Sequence, residues 1–138
     1  MNKQFWISGM VMSVVAFILS FVVHGLLLGN DYSAMQHLYR TPEESQGYFG
    51  YMILAHVLFG FALTWIYRQG VDAGKPLIGQ GVRFGIAVAL LMTIPTYLIY
   101  YAVQPLPGAM VVKQIVFDTI AVVLLGIIVA LLNRPATT

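Results

Sequence analysis

Two histidines, one carboxylate and a stripe of tyrosines are the residues of this chain whose types and spacing could carry chemistry. His24, His56 and Asp118 each lie inside an otherwise apolar stretch, where ionisable side chains are rare and mark function or specific pairing. Ser20 precedes His24 by one helical turn. Tyr97 and Tyr100 fall on a helical stripe with Thr93 and Gln104, and Gln114 and Asp118 share a face at i, i+4. Three kinds of chemistry fit. The first is a hydrogen-bonded clasp in which Asp118 accepts from Tyr97, Tyr100 or a histidine. Membrane hydrogen bonds contribute roughly 0.6 kcal/mol each, so a clasp sets register more than it supplies stability. The second is a cofactor site. Histidines at similar depth on neighbouring antiparallel helices could ligate a b-type haem axially, and His–Asp or His–Tyr pairs could hold a quinone headgroup. The third is a proton or small-solute pathway, with Asp118 titrating and the histidines as relay, because imidazole titrates near neutral pH.

Several features narrow these options. Only Arg40 lies where haem propionates would need cations. Small multidrug exporters also have four helices, but they carry a membrane glutamate in the first, and this chain has no carboxylate there. The sequence has no H-E-x-x-H, no G-x-S-x-G and no phosphate-binding glycine loop. Without cysteine there is no disulfide, thiolate metal site or thiol nucleophile. The expectation is a non-enzymatic protein with no metal and no cofactor. Haem b or quinone binding through His24 and His56 is one alternative, and proton-linked transport through Asp118 is another.

The elements that position these residues follow from composition. Of 138 residues, 59% are apolar and 9% are charged, against roughly 25% charged in a soluble domain. Mean hydropathy is +0.84. Too few polar groups exist to cover a soluble surface, which excludes an ordinary soluble enzyme and a disordered regulator. The net charge of +2 is scattered along the chain, so no basic patch serves nucleic acid. Four apolar stretches, 5–28, 48–67, 84–103 and 109–132, have about 20 residues or more, enough as helices for a bilayer of about 30 Å. They do not alternate apolar with polar, which excludes a barrel. The first is too long for a signal h-region and no A-x-A site follows it, so it is expected to be retained.

The fold expected is a single all-α domain over 1–138, an integral membrane up-down four-helix bundle. Lys3, Arg68, Lys75, Arg83 and Arg134 fall on one side, and Arg40 and Lys113 on the other, which places both termini in the cytoplasm. His56 then sits about 12 Å inside the outer boundary. Thr41-Pro42-Glu43-Glu44 is a capping-box start for the second helix. Asn30-Asp31 is expected to cap a short interfacial helix through Arg40, containing Tyr32 and Met35. The glycine-rich loop 69–76 is expected to be a flexible turn, and the short link 104–108 makes helices three and four antiparallel neighbours. Pro95 breaks the backbone ladder of the third helix by freeing the Leu91 carbonyl. Trp6, Trp65, Tyr67 and the stretch 47–51 are expected in interfacial aromatic belts.

Small residues mark the packing faces. Gly9 and Ser13 lie on one stripe of the first helix, Gly81, Gly85 and Ala89 on the third, and Gly126 and Ala130 on the fourth. They pack helices within the bundle or dock a partner.

Gly79-Gln80-Gly81-Val82-Arg83-Phe84-Gly85 and Lys113-Gln114-Ile115-Val116-Phe117-Asp118 resemble stretches of small four-span bacterial inner-membrane proteins of unknown function. The resemblance implies a multi-pass protein of a bacterial inner membrane and no particular activity. With minimal loops and small-residue seams, the role expected is an accessory or stabilising subunit. Its partners would be the lipid bilayer and other membrane subunits, or a second copy of itself.

Overall fold

The computed structural model describes residues 2–135, and these contain helices and no strand. Six helices follow in order: α1 (Lys3–Leu27), α2 (Gly29–Ser33), α3 (Pro42–Gln46), α4 (Phe49–Gly70), α5 (Leu77–Val103) and α6 (Gly108–Leu132). A single 3-10 turn, Gln36–Leu38, separates α2 from α3. The four long helices, α1, α4, α5 and α6, have window hydropathies of 2.4, 1.8, 1.9 and 2.9, and each is long and apolar enough to cross a membrane. Their outward faces carry exposed Ile18, Leu58, Leu91, Val103 and Val112, a surface suited to hydrocarbon and not to water.

The bundle is built from two tight antiparallel pairs, α1 with α4 and α5 with α6, joined mainly where α1 meets α6. Small residues set both crossings. Gly60 of α4 sits against the Ser13 backbone, and Gly81 and Gly85 of α5 sit against Gly126 and Val123 of α6. A Cβ on Gly85 would lie 2.6 Å from the Val123 Cα, so only glycine permits this approach. Ser13 Oγ donates to the Gly9 carbonyl at 2.8 Å, and Thr64 Oγ1 donates to the Gly60 carbonyl at 2.9 Å, satisfying hydroxyls that lipid could not. Met12, Leu63, Leu125 and Val129 fill the middle of the core. A second cluster, including Val23, Leu28, Met35, Met110 and Ala121, closes the end opposite the termini.

Two helices contain widened turns. The π turn Ala89–Thr93 lies just ahead of Pro95, whose missing N–H and bulky ring disrupt the regular ladder at Leu91. The other, Phe21–Leu27, ends α1 and contains His24 and Gly25.

Several sequence expectations need correction. α5 starts at Leu77 and not at Phe84, because Gly79-Gln80-Gly81-Val82-Arg83 continues as helix, with Gly81 buried against α6 and Arg83 on the exposed side. The Thr41 capping box forms, with Glu44 N to Thr41 Oγ1 at 3.2 Å and Thr41 N to Glu44 Oε2 at 3.0 Å. It starts the separate helix α3, however, and the second long helix begins only at Phe49. α2 has no side-chain cap, since Asn30 and Asp31 lie inside its first turn. The loop after α4 is tied by Gln80, which accepts from Asp72 N at 2.9 Å and donates to the Asp72 carbonyl at 2.8 Å. The Gly74 N–H, and then Lys75 at 3.0 Å, hold the Asp72 carboxyl below its usual range. Tyr67 is not in an aromatic belt: it is buried, with its ring 5.3 Å from that of Phe84.

Candidate functional site

Asp118 organises the polar side chains in the half of the bundle away from the termini. It lies one turn after Gln114 on α6, and its side chain is 16% exposed. Tyr97 of α5 donates its hydroxyl to Asp118 Oδ2, and His24 Nε2 of α1 stands 3.2 Å from the same oxygen. His24 Nδ1 lies 2.8 Å from the Tyr32 hydroxyl, and Gln114 Nε2 donates to that hydroxyl at 2.9 Å. A carboxylate only accepts, so with a neutral imidazole the proton sits on Nε2 and Nδ1 accepts from Tyr32. The donors then run one way, from Gln114 to Tyr32 to His24 to Asp118, with Tyr97 arriving from the other side. Both bonds fall on Oδ2, and Oδ1 takes neither.

Local structure explains the arrangement. The π turn at Phe21–Leu27 places His24 between α2 and α6. The Lys113–Asp31 ion pair, at 2.8 Å, fastens α2 over the top of α6 and holds Tyr32 above His24. Burial is the main cause that pushes the Tyr32 hydroxyl up to about 12, so it stays protonated as a donor; the Gln114 bond opposes this shift.

Beside this network, α4 and α5 diverge. They meet near the termini through Tyr67 and Phe84, and farther along a lateral groove of about 880 Å³ opens between them. Ala55, Phe59 and Ala62 form one wall, Met92, Thr96 and Tyr97 form the other, and α1 and α6 supply the floor. Asp118, His56, Ser20, Tyr97 and Tyr100 make one end of the groove polar, while Ala121, Val122 and Leu125 leave the rest of its floor apolar. A smaller cavity of about 310 Å³ adjoins it. Tyr97 and Tyr100 line both cavities, and Tyr32, Tyr39, Gln104, Leu106 and Gln114 complete the smaller one.

Comparisons with protein-family models, with curated proteins and with solved structures find no match.

The residues singled out by type thus separate into two sets. His24, Tyr97, Gln114 and Asp118 come together as one network. Tyr100 stands beside it with its ring 6.4 Å from that of Tyr97, and Ser20 lines the groove below. His56 stays apart. Its Nδ1 bonds the Met52 carbonyl at 2.7 Å and its ring packs edge-on to Phe17 at 5.3 Å, leaving Nε2 for the groove. Both His24 nitrogens are already bonded, so joint axial ligation with His56 would first have to break one of these hydrogen bonds. Arg40 stacks on the Tyr48 ring at 3.8 Å. Among the described residues no cluster of three His, Cys, Asp or Glu side chains could hold a metal.

Two features were not anticipated from sequence. Tyr32 is the hub that joins Gln114 to His24; the signal available was a tyrosine one residue past an acidic side chain at the end of a long helix. Near the termini, buried Asn133 donates to Ser8 Oγ at 2.7 Å and accepts from Arg68 at 3.4 Å, and Arg68 also reaches Asn2 at 3.1 Å. An asparagine directly after the last apolar run was the signal there. The small residues on the packing stripes are occupied inside the chain: Gly9 by Phe61, Gly81 and Gly85 by α6, while Ala89 and Ala130 are buried.

Proposed function

We propose that this chain is a non-enzymatic, multi-pass protein of a bacterial inner membrane that binds an amphipathic molecule in its lateral groove, as an accessory subunit of a larger assembly. Both termini face the cytoplasm in this reading, so the polar end of the groove lies in the outer half of the bilayer. The observation that carries it is the polarity gradient of the groove: apolar over most of its length and polar around Asp118, His56 and Tyr97 at one end. Such a gradient complements a molecule with an apolar tail and a polar head, and the opening between α4 and α5 lets it enter from the lipid. Its volume of about 880 Å³ is that of a small-ligand site. A quinone-class molecule has this general form.

Native mass spectrometry of the gently solubilised protein tests the reading. Wild type is expected to carry a stoichiometric small-molecule adduct. Ala62→Phe fills the groove from an exposed wall position and is expected to lose it. A bare chain in wild type, or an adduct that survives the substitution, would contradict ligand binding in the groove.

A further inference from the structure

The chemistry of the head that this groove would hold can be narrowed, on the reading that the groove is a ligand site. Asp118 lines the groove, and Oδ2 receives both of its hydrogen bonds, leaving Oδ1 without either. One turn along the same face, in the adjoining smaller cavity, the buried Gln114 Oε1 has no donor among the described residues. Ser20, Thr93, Thr96 and Tyr100 bring hydroxyls that can donate as well as accept, so what the groove lacks is positive charge. Lys113 pairs with Asp31, Lys75 pairs with Asp72, Arg68 bonds Asn2 and Asn133, and Arg40 stacks on Tyr48. No lysine or arginine lines the groove. With a neutral imidazole, His24 gives Asp118 a hydrogen bond but no charge, and a carboxylate taken out of water without a cation beside it is costly, a cost that pairing offsets. Phe59, Tyr97 and Tyr100 add ring faces of the kind that attract an ammonium ion.

We propose that the groove takes an alkyl amine, whose protonated nitrogen pairs with Asp118 and whose tail lies along the apolar floor toward Leu125. A quinone carbonyl can accept from the groove's hydroxyls but brings Asp118 neither a donor nor a charge. A phospholipid amine brings a phosphate for which the groove has no cation. An alcohol supplies the donor but no charge.

The test measures binding of dodecylamine, dodecanol and a short-tailed quinone to the full chain in phosphatidylcholine nanodiscs, with empty nanodiscs subtracted. Dodecylamine is expected to bind at least tenfold more tightly than the other two. Asp118→Asn, which keeps the size of the side chain, is expected to remove that preference, and circular dichroism of the same samples reports an intact fold. Equal binding of amine and alcohol would overturn the proposal, as would an amine preference that survives Asp118→Asn. Ala62→Phe separates the two levels. If it weakens binding while Asp118→Asn does not, the groove stands and amine recognition falls. If it changes binding of none of the three, the groove reading falls, and amine recognition with it.

Discussion

Asp118 shows how a single ionisable residue in an apolar helix gathers partners from two neighbouring helices, His24 from α1 and Tyr97 from α5. Its location was legible, because a carboxylate one turn beyond Gln114 in an apolar run has few reasons to be there. The Tyr97 contact was also legible from the helical stripe on the third long helix. His24 was placed at the right depth, but its position beside Asp118 depends on a π turn, and a pattern read at 3.6 residues per turn does not reveal one. Tyr32 gives a residue-scale test. The unfolded tyrosine ionises near 10 and the folded one near 12, so between these values the unfolded chain loses the proton first and stability falls as pH rises. Below pH 10 this contribution is fully present. Thermal unfolding in detergent should therefore show a loss between pH 10 and about 12 that is smaller in Tyr32→Phe. At pH 7 the same substitution should cost about 1 kcal/mol, the scale of one hydrogen bond. An identical pH dependence in both proteins would mean that Tyr32 is not held in the network.

The four long helices were legible because hydropathy is a sum over many residues and tolerates local error. Boundaries were not. The third stretch was bounded at Phe84, yet its helix starts at Leu77, and Gly81, which would weaken an isolated helix, is held helical by close packing against α6. The capping box at Thr41 was a correct local signal for the wrong helix, because Gly47 and Tyr48 turn the chain before α4 begins. The glycine crossing offers a clear test. Gly85→Val puts a branched side chain against the Val122–Val123 backbone, which cannot yield as a flexible side chain would. A loss of roughly 1–3 kcal/mol is expected. Gly50→Ala meets nothing within 4 Å and should be neutral or mildly stabilising. Unfolding midpoints of the two variants measure this, and similar midpoints would show that the α5–α6 crossing is looser than described.

At the scale of the whole molecule, the bundle is closed along three of its sides and open along the fourth. Composition foretold four apolar helices and nothing about this asymmetry. The short link after Val103 pairs α5 with α6, but whether α4 packs along α5, to which it is also joined by a short link, depends on side-chain detail spread over both helices: Pro95 and its widened turn, the small side chains of Ala55 and Ala62, and the Tyr67–Phe84 contact that lets the helices touch only near the termini. The groove opens away from that contact and ends at the Asp118 network, so a tail and a head would each meet matching surroundings. The most direct measurement is photo-crosslinking in lipid vesicles with an amphiphile that carries a photoreactive group in its tail, followed by peptide mapping. Crosslinks concentrated on Ala55, Phe59, Ala62, Met92 and Val122 are the expected result. Crosslinks spread evenly over outward-facing residues such as Ile18, Leu91 and Val103 would show ordinary lipid contact and contradict a ligand-binding groove.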